Sequence, residues 1–283
     1  MTNPKVSIIM ATWNRALMIS KTIESVRKQS FKDWELVVTD DGSTDNTAQV
    51  MSDWQKREPR IVFIKSEVNQ GISKNYNKAL KIAKGEYVAM IDDDDPWCDD
   101  RKLEKQIKFL DENKSYAGCG GGVIVIDGSG KPFDAAQGKE LYRYLKPETD
   151  KQIRERMLFG NPIANSTTLF RRSSAELLGW YDESNRYSGD RDFWMKMGLK
   201  GRLYNFPEYF SYYTMSGANT SLTKIRPHLK SSLTFMKRYK GKYPHYLPAL
   251  IFNWTQYLYA YLPGFIQRAI HFSLAKLKRR VVG

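Results

Sequence analysis

Short apolar runs alternate with amphipathic stretches through roughly the first 115 residues of the chain. Val6 to Ala11 is a short apolar run bounded by Pro4 and by Asn14 and Arg15, the form of a buried strand. Ile19, Ile23 and Val26 then recur at helical spacing as far as Gln29. Trp34 to Thr39 predicts a second strand ending in Asp40-Asp41-Gly42-Ser43, where Ser43 or Thr44 can cap a helix running to Gln55. Arg60 to Lys65 predicts a third strand, and Gly71 to Ala83 a third helix stopped by Gly85. Glu86 to Ile91 predicts a fourth strand and Arg101 to Asn113 a fourth helix. This order, joined by short loops, predicts an α/β fold with a doubly wound, mostly parallel sheet.

From Tyr116 to Thr223 the pattern is irregular. Gly118-Cys119-Gly120-Gly121-Gly122 leads into a short run at Val123 to Ile126, and Asp127 to Gly138 reads as an exposed loop. Asn165 to Arg171 predicts a strand, and Asp190 to Lys200 a helix. No internal repeat is visible.

Ligands of such sheets bind outside the carboxyl ends of the strands, and three polar sets fall there. They are Thr12-Trp13-Asn14 after strand one, Asp40-Asp41-Gly42-Ser43 after strand two, and the four aspartates Asp92 to Asp95 after strand four. Carboxylates this crowded repel one another unless a cation or a proton offsets them. If the strand's alternation continues, Asp92 and Asp94 point the same way and Asp93 points to the opposite face. Two hard oxygen ligands beside an open loop suit Mg²⁺ or Mn²⁺ still carrying water and substrate phosphates. The plainer alternative is a solvated acidic turn whose Asp99 or Asp100 caps the next helix.

Composition narrows the classes. With 41% hydrophobic and 13% aromatic residues over 283 positions, the chain can bury a core and is not a disordered one. Cys98 and Cys119 are the only cysteines, which predicts no disulfide framework and a reducing, cytoplasmic setting. The start lacks the pattern of a secretion signal. His228, His245 and His271 lie far from the aspartates in sequence, so a histidine-bound zinc is not expected and the three are read as surface or packed residues.

Charge is unevenly placed. No Asp or Glu follows Glu208, while residues 224–283 hold twelve Lys and Arg, nearly all of the net +14. Residues His245 to Phe265 are aromatic and apolar, but Pro248, Asn253, Gln256 and Pro263 argue against a spanning helix. Ile266, Ala269, Ile270, Leu274 and Leu277 recur at helical spacing, with Arg268, His271, Lys278 and Arg279 on other faces. That is the profile of a peripheral anchor on anionic lipid over 245–283, or of a helix packed on the body with a solvated basic side.

The sequence resembles the inverting nucleotide-sugar glycosyltransferases of family 2, with their GT-A fold, over residues 5–220. The resemblance rests on Val6 to Arg15, on Thr39-Asp40-Asp41-Gly42-Ser43-Thr44-Asp45, and on Asn69-Gln70-Gly71 through Asn77. It continues in Ile91-Asp92-Asp93-Asp94-Asp95-Pro96-Trp97 and in Gly179 to Glu183 followed by Gly189-Asp190-Arg191-Asp192-Phe193-Trp194. It implies a donor-binding half at 1–115, an acceptor-binding half at 116–223, and a basic helical extension at 224–283. It further implies Asp94 as metal ligand, Asp92 as ligand of metal or ribose, and Asp41 as acceptor from a uracil N3–H. Trp13 would stack on the base beside Thr12 and Asn14, with Asp40 and Asp93 in the same nucleotide pocket. Asp190 becomes the catalytic base.

The chain departs from the family in three places. Gly189 stands where Glu is frequent, and Tyr76 where Arg is frequent, so Lys74 is the candidate for phosphate contact. The segment Cys98 to Arg101 is one residue longer than usual. The implied function is transfer of a sugar from a nucleoside diphosphate, UDP by analogy, to a saccharide or lipid-linked saccharide in surface-glycan assembly. The expected place is the inner face of the plasma membrane. The weighed alternatives are a nucleic-acid-binding protein using the basic tail, an inactive sugar-nucleotide-binding module, and a nucleotidyltransferase. No nucleic-acid partner is expected, since no nucleic-acid motif accompanies the charge.

Overall fold

A computed structural model describes residues 3–132, 143–215, 223–264 and 266. The N-terminal part runs β1 (Val6–Thr12), α1 (Ile19–Arg27), β2 (Trp34–Asp40), α2 (Thr47–Arg57), β3 (Ile61–Lys65), α3 (Ile72–Ile82), β4 (Tyr87–Met90) and α4 (Lys102–Glu112). There follow β5 (Tyr116–Asp127), β6 (Arg143–Tyr144), α5 (Asp150–Arg156), a single 3₁₀ turn at Asn165–Thr167, β7 (Leu169–Arg171) and α6 (Arg172–Glu176). The rest comprises α7 (Gly189–Lys200), β8 (Arg202–Met215), α8 (Ile225–Met236) and α9 (Tyr246–Tyr259).

The strands form one sheet in the order β3-β2-β1-β4-β7-β5-β6, with β8 paired to β5. Strands β3, β2, β1 and β4 run parallel, and β7 is antiparallel to both β4 and β5. This is the expected α/β class, a mostly parallel sheet flanked by helices.

Period-two alternation on the central strands splits the core in two. Val6, Ile8, Met10, Tyr87, Ala89 and Ile91 face one cluster, under α1, α2 and α4. Ile9, Ala11, Val88 and Met90 face the other, which extends through Phe193 and Trp194 of α7 to Phe235 of α8 and Ala249 of α9. The described part of the C-terminal extension therefore shares the core of the α/β body. The cationic helix expected beyond Ile266, and residues 133–138 of the expected loop, lie outside the described residues. No helix among the described residues is long and apolar enough to cross a membrane.

Two expectations need correction. Neither Ser43 nor Thr44 caps α2: the helix begins after Asn46, and the Asp45 carboxylate accepts from the Thr47 amide at 3.0 Å and from its hydroxyl at 2.5 Å. Ser43 instead donates its hydroxyl to Asp40 Oδ1 at 2.5 Å, tightening the turn after β2. The glycine-rich stretch is not a lead-in but the middle of the 12-residue β5. A Cβ at Gly121 would come 2.5 Å from the Phe210 ring, and one at Gly118 2.9 Å from Phe170 Cβ, so bulky neighbours occupy the space a side chain would need.

Close approach also sets the start of β4. A Cβ at Gly85 would fall on the Ser7 backbone nitrogen and, 2.7 Å away, on the Val6 carbonyl carbon. Gly85→Ala is expected to lower unfolding stability by about 2 kcal/mol, because backbone rather than a flexible side chain must move. A urea-unfolding midpoint unchanged from the parent would contradict that reading.

Candidate active site

The turn after β4 gathers the charge. The strand ends at Met90 and alternation does not extend past Ile91, so the expectation that Asp92 and Asp94 share one face, with Asp93 opposite, is not met. The Asp95 amide donates back to the Asp92 carbonyl at 3.1 Å, which closes a turn and turns Asp93 and Asp94 together toward Arg15. Arg15 Nε lies 3.5 Å from Asp93 Oδ1, and its Nη2 lies 3.4 Å from Asp94 Oδ2. Asp92 points elsewhere, accepting from the Tyr76 hydroxyl at 2.5 Å and the Ser166 hydroxyl at 2.9 Å. Ser166 also serves Asp95 at 3.0 Å, and Asp95 accepts the Thr214 amide at 2.8 Å.

Burial and mutual repulsion push the carboxyls of Asp93, Asp94 and Asp95 above their usual range. Loss of water, followed by the charge of Asp94, pushes the Asp93 carboxyl up to about 7, with Thr12 and Arg15 opposing. Asp94 rises to about 6 through burial and Asp92, again offset by Arg15. Asp95 rises well above a normal carboxyl, chiefly through burial. Such a cluster favours a bound cation or proton. No three acid, Cys or His side chains among the described residues converge into a ready metal cage. The chemistry still fits Mg²⁺ or Mn²⁺ held by one or two carboxylates and completed by water and phosphate oxygens.

All four aspartates line a cavity of about 300 Å³, which also meets Arg15, Tyr76, Asn165 and Asp190. A second lobe of about 340 Å³ shares Arg15, Asp93 and Arg186 with the first and is lined by Thr12, Trp13 and Asp41. Trp13 is 52% exposed there, leaving its indole accessible. Asp41 accepts from the Gln70 and Gly71 amides, each at 2.8 Å, and so braces the loop entering α3 while bordering the lobe.

Three predicted binding residues sit apart from the cleft lining. Asp40 is fully buried and holds the Ser43 amide at 2.9 Å as well as its hydroxyl. Asn14, in a left-handed conformation, directs its side-chain oxygen to the Thr44 amide at 2.9 Å. Lys74 is exposed on α3 and lines neither lobe. The cations that do line both lobes are Arg15 and Arg186.

Asp190 stands in the first turn of α7, after Ser188 in a left-handed conformation. Asn161 Nδ2 donates to its Oδ2 at 2.7 Å. Helix α3 fixes the preceding loop: Asn77 donates to the Tyr181 carbonyl at 2.9 Å, and Ser73 to the Asn185 carbonyl at 2.9 Å. A Cβ at 189 would stand 2.8 Å from Ser73 Oγ, so a side chain at this departure from the family pattern would require Ser73 to shift. Arg191, next in the chain, is buried and donates to the Leu158 carbonyl at 2.6 Å.

Sequence reasoning missed several lining residues. His228 of α8 was assigned to the surface or core, yet it borders the same cavity as Asp190, with Nδ1 3.0 Å from Ser188 Oγ. Burial lowers its pKa, with Asp190 opposing. Asn165 and Ser166 were read as strand but form a 3₁₀ turn that presents both side chains to Asp92. Their signal was three consecutive polar residues, Asn165-Ser166-Thr167, ahead of the apolar pair Leu169-Phe170.

The sequence model described as Glycosyl transferase family 2 matches residues 7–179. A putative glycosyltransferase, EpsE, of Bacillus subtilis is 33% identical over 209 residues, 72% of this chain and 71% of that protein. The chain therefore belongs to glycosyltransferase family 2. The Escherichia coli protein WfaP, named a UDP-Glc:alpha-D-GlcNAc-diphosphoundecaprenol beta-1,3-glucosyltransferase, is 39% identical over 111 residues, 39% of this chain and 43% of its own length. Among solved structures, a mannosyltransferase of Pyrobaculum calidifontis in complex with GDP-Man and Mn²⁺ superposes with a TM-score of 0.65 at 19% identity. That match covers 99% of this chain and 84% of that one, and it shows the shared fold.

The repulsion within the aspartate turn gives a stability test. Asp93 has its folded pKa raised above the unfolded value, so its ionisation opposes folding fully above about pH 7 and not at all below about pH 4. Asp93→Asn should stabilise the metal-free protein by about 2 kcal/mol near pH 8, with the gain shrinking as pH falls toward 4. Chemical denaturation across that range reads it, and a gain that grows on acidification would contradict it.

Proposed function

We propose that the protein is an inverting, metal-dependent glycosyltransferase moving a sugar from a UDP-sugar to a hydroxyl of a lipid-linked saccharide in cell-surface polysaccharide assembly. The observation that carries this reading is one cleft holding the aspartate turn, two arginines and Asp190, with the exposed indole of Trp13 at its far lobe. WfaP's name supplies the donor and acceptor classes, and the Mn²⁺ of the archaeal mannosyltransferase supports the ion.

In this reading the base stacks on Trp13 and meets Asp41, while Arg15 and Arg186 face the diphosphate. Asp94 and Asp92 would hold Mg²⁺ or Mn²⁺. When bound, that ion neutralises charge developing on the leaving diphosphate. Tyr76 and Ser166 fix the Asp92 carboxylate, and the Asn161 amide orients that of Asp190. The acceptor oxygen attacks the anomeric carbon from the side opposite the phosphate; its proton passes to Asp190 as the sugar–phosphate bond breaks. Attack from the opposite side inverts the anomeric centre. Nucleotide sugars are cytoplasmic metabolites, so we infer reaction at the inner face of the membrane.

Asp190→Asn keeps the hydrogen-bonding shape but removes the base. Transfer should fall by about 100-fold or more, with donor affinity unchanged. Near-normal turnover in a radiolabelled-sugar transfer assay would overturn the assignment.

A further inference from the structure

Helix α9 carries an outward face that water does not explain. Leu247, Ile251, Trp254, Leu258 and, one turn beyond, Tyr261 are 64%, 57%, 46%, 59% and 52% exposed. At 3.6 residues per turn these five fall within about 80° of the helix barrel. Ala249, Asn253 and Ala260, all buried, lie on the opposite side. There Asn253 donates to the Leu158 carbonyl at 2.9 Å and accepts from Arg191 at 3.3 Å. Helix α9 contains no charged residue at all, whereas a helix bathed in water carries charge outward. Its exposed row is a continuous apolar strip of the kind that marks an interaction surface.

The surroundings of the strip select its partner. Arg226 of α8 donates to the Ala260 carbonyl at 2.9 Å and lies 4.4 Å from the centre of the Tyr261 ring. Lys224, Lys230, Lys237, Lys240 and Lys242 are exposed on α8 and the turns beside it, and no acid follows Glu208. A second copy of this chain would press like charges together. An anionic bilayer offers apolar depth to the leucines, an interface to Trp254 and Tyr261, and phosphate to the cations.

We propose that the Leu247-to-Tyr261 face of α9 is the membrane-docking surface, lying in the headgroup layer of an anionic bilayer with the α8 cations beside it. The placement matters to the reaction. Lys224 and His228, flanking Arg226, line the two lobes of the cleft, so the Tyr261 end of the strip adjoins the cleft mouth. Docking there would present the Asp190 pocket to a substrate anchored in the same lipid. The proposal rests on the lipid-linked-acceptor reading for its purpose only.

Vesicle co-sedimentation of the full chain tests it, using phosphatidylcholine vesicles with and without phosphatidylglycerol. The parent should bind the anionic vesicles and release in high salt. Ile251→Glu combined with Leu258→Glu should weaken that binding by about tenfold or more. Ile251→Leu combined with Leu258→Met should retain it. UDP-sugar affinity and transfer to a water-soluble acceptor should be unchanged in both variants, which shows that they fold and separates this test from failure of the catalytic reading. Undiminished vesicle binding by the double-Glu variant, or equal binding to neutral vesicles, would overturn the proposal. So would a parent dimer that the double-Glu variant dissociates. Hydrogen-exchange protection of residues 247–261 without lipid, lost on removing 267–283, would show that the chain covers this face itself and would overturn it too.

Discussion

Confinement of like charge at the end of β4 is the constraint around which the site is organised. Four carboxylates in one turn would spring apart in water. Here each is restrained: Asp92 by Tyr76 and Ser166, Asp93 and Asp94 by Arg15, Asp95 by Ser166 and the Thr214 amide. The restraints arrive from α3, the 165–167 turn, the loop after β1, and β8. Several distant elements therefore hold one loop in which Asp93, Asp94 and Asp95 still sit at raised pKa. That residual repulsion is free energy available to whichever cation enters.

A second consequence is coupling between the halves of the cleft. Helix α3 reaches both: Tyr76 holds Asp92, while Ser73 and Asn77 hold the loop that delivers Asp190. Arg191, fixed to the Leu158 carbonyl and to Asn253, carries the same connection onward to α9. Asp190 is thus tied to the aspartate turn through one helix and to the C-terminal helices through its neighbour in the chain.

The parallel half of the fold was legible because β1, β2 and β4 are buried on both faces and read as mostly apolar runs between turn residues. Beyond Tyr116 that signal fails for identifiable reasons. Glycines 118 and 120 to 122 depress the strand pattern of β5 because neighbouring side chains and backbone occupy the space a Cβ would need. Strand β8 went unread because its register slips around Pro207, from Asn205 opposite Gly120 to Tyr209 opposite Gly122. The acids of the site were found by sequence, since charge at a strand end is a local feature. Arg186 and His228 were not, because only tertiary packing brings those distant positions to the cleft. Lys74 illustrates the converse: proximity to Tyr76 in sequence did not bring it to the cavity.

The central claim is that the acids after β4 join a divalent ion to the donor's diphosphate. The most direct measurement is calorimetric titration of a UDP-sugar into the protein with Mn²⁺ present and with Mn²⁺ withheld by a chelator. Binding at least about tenfold tighter with the ion, a coupling of ~1.4 kcal/mol, is predicted. Identical affinity under the two conditions, or no binding in either, would contradict the account.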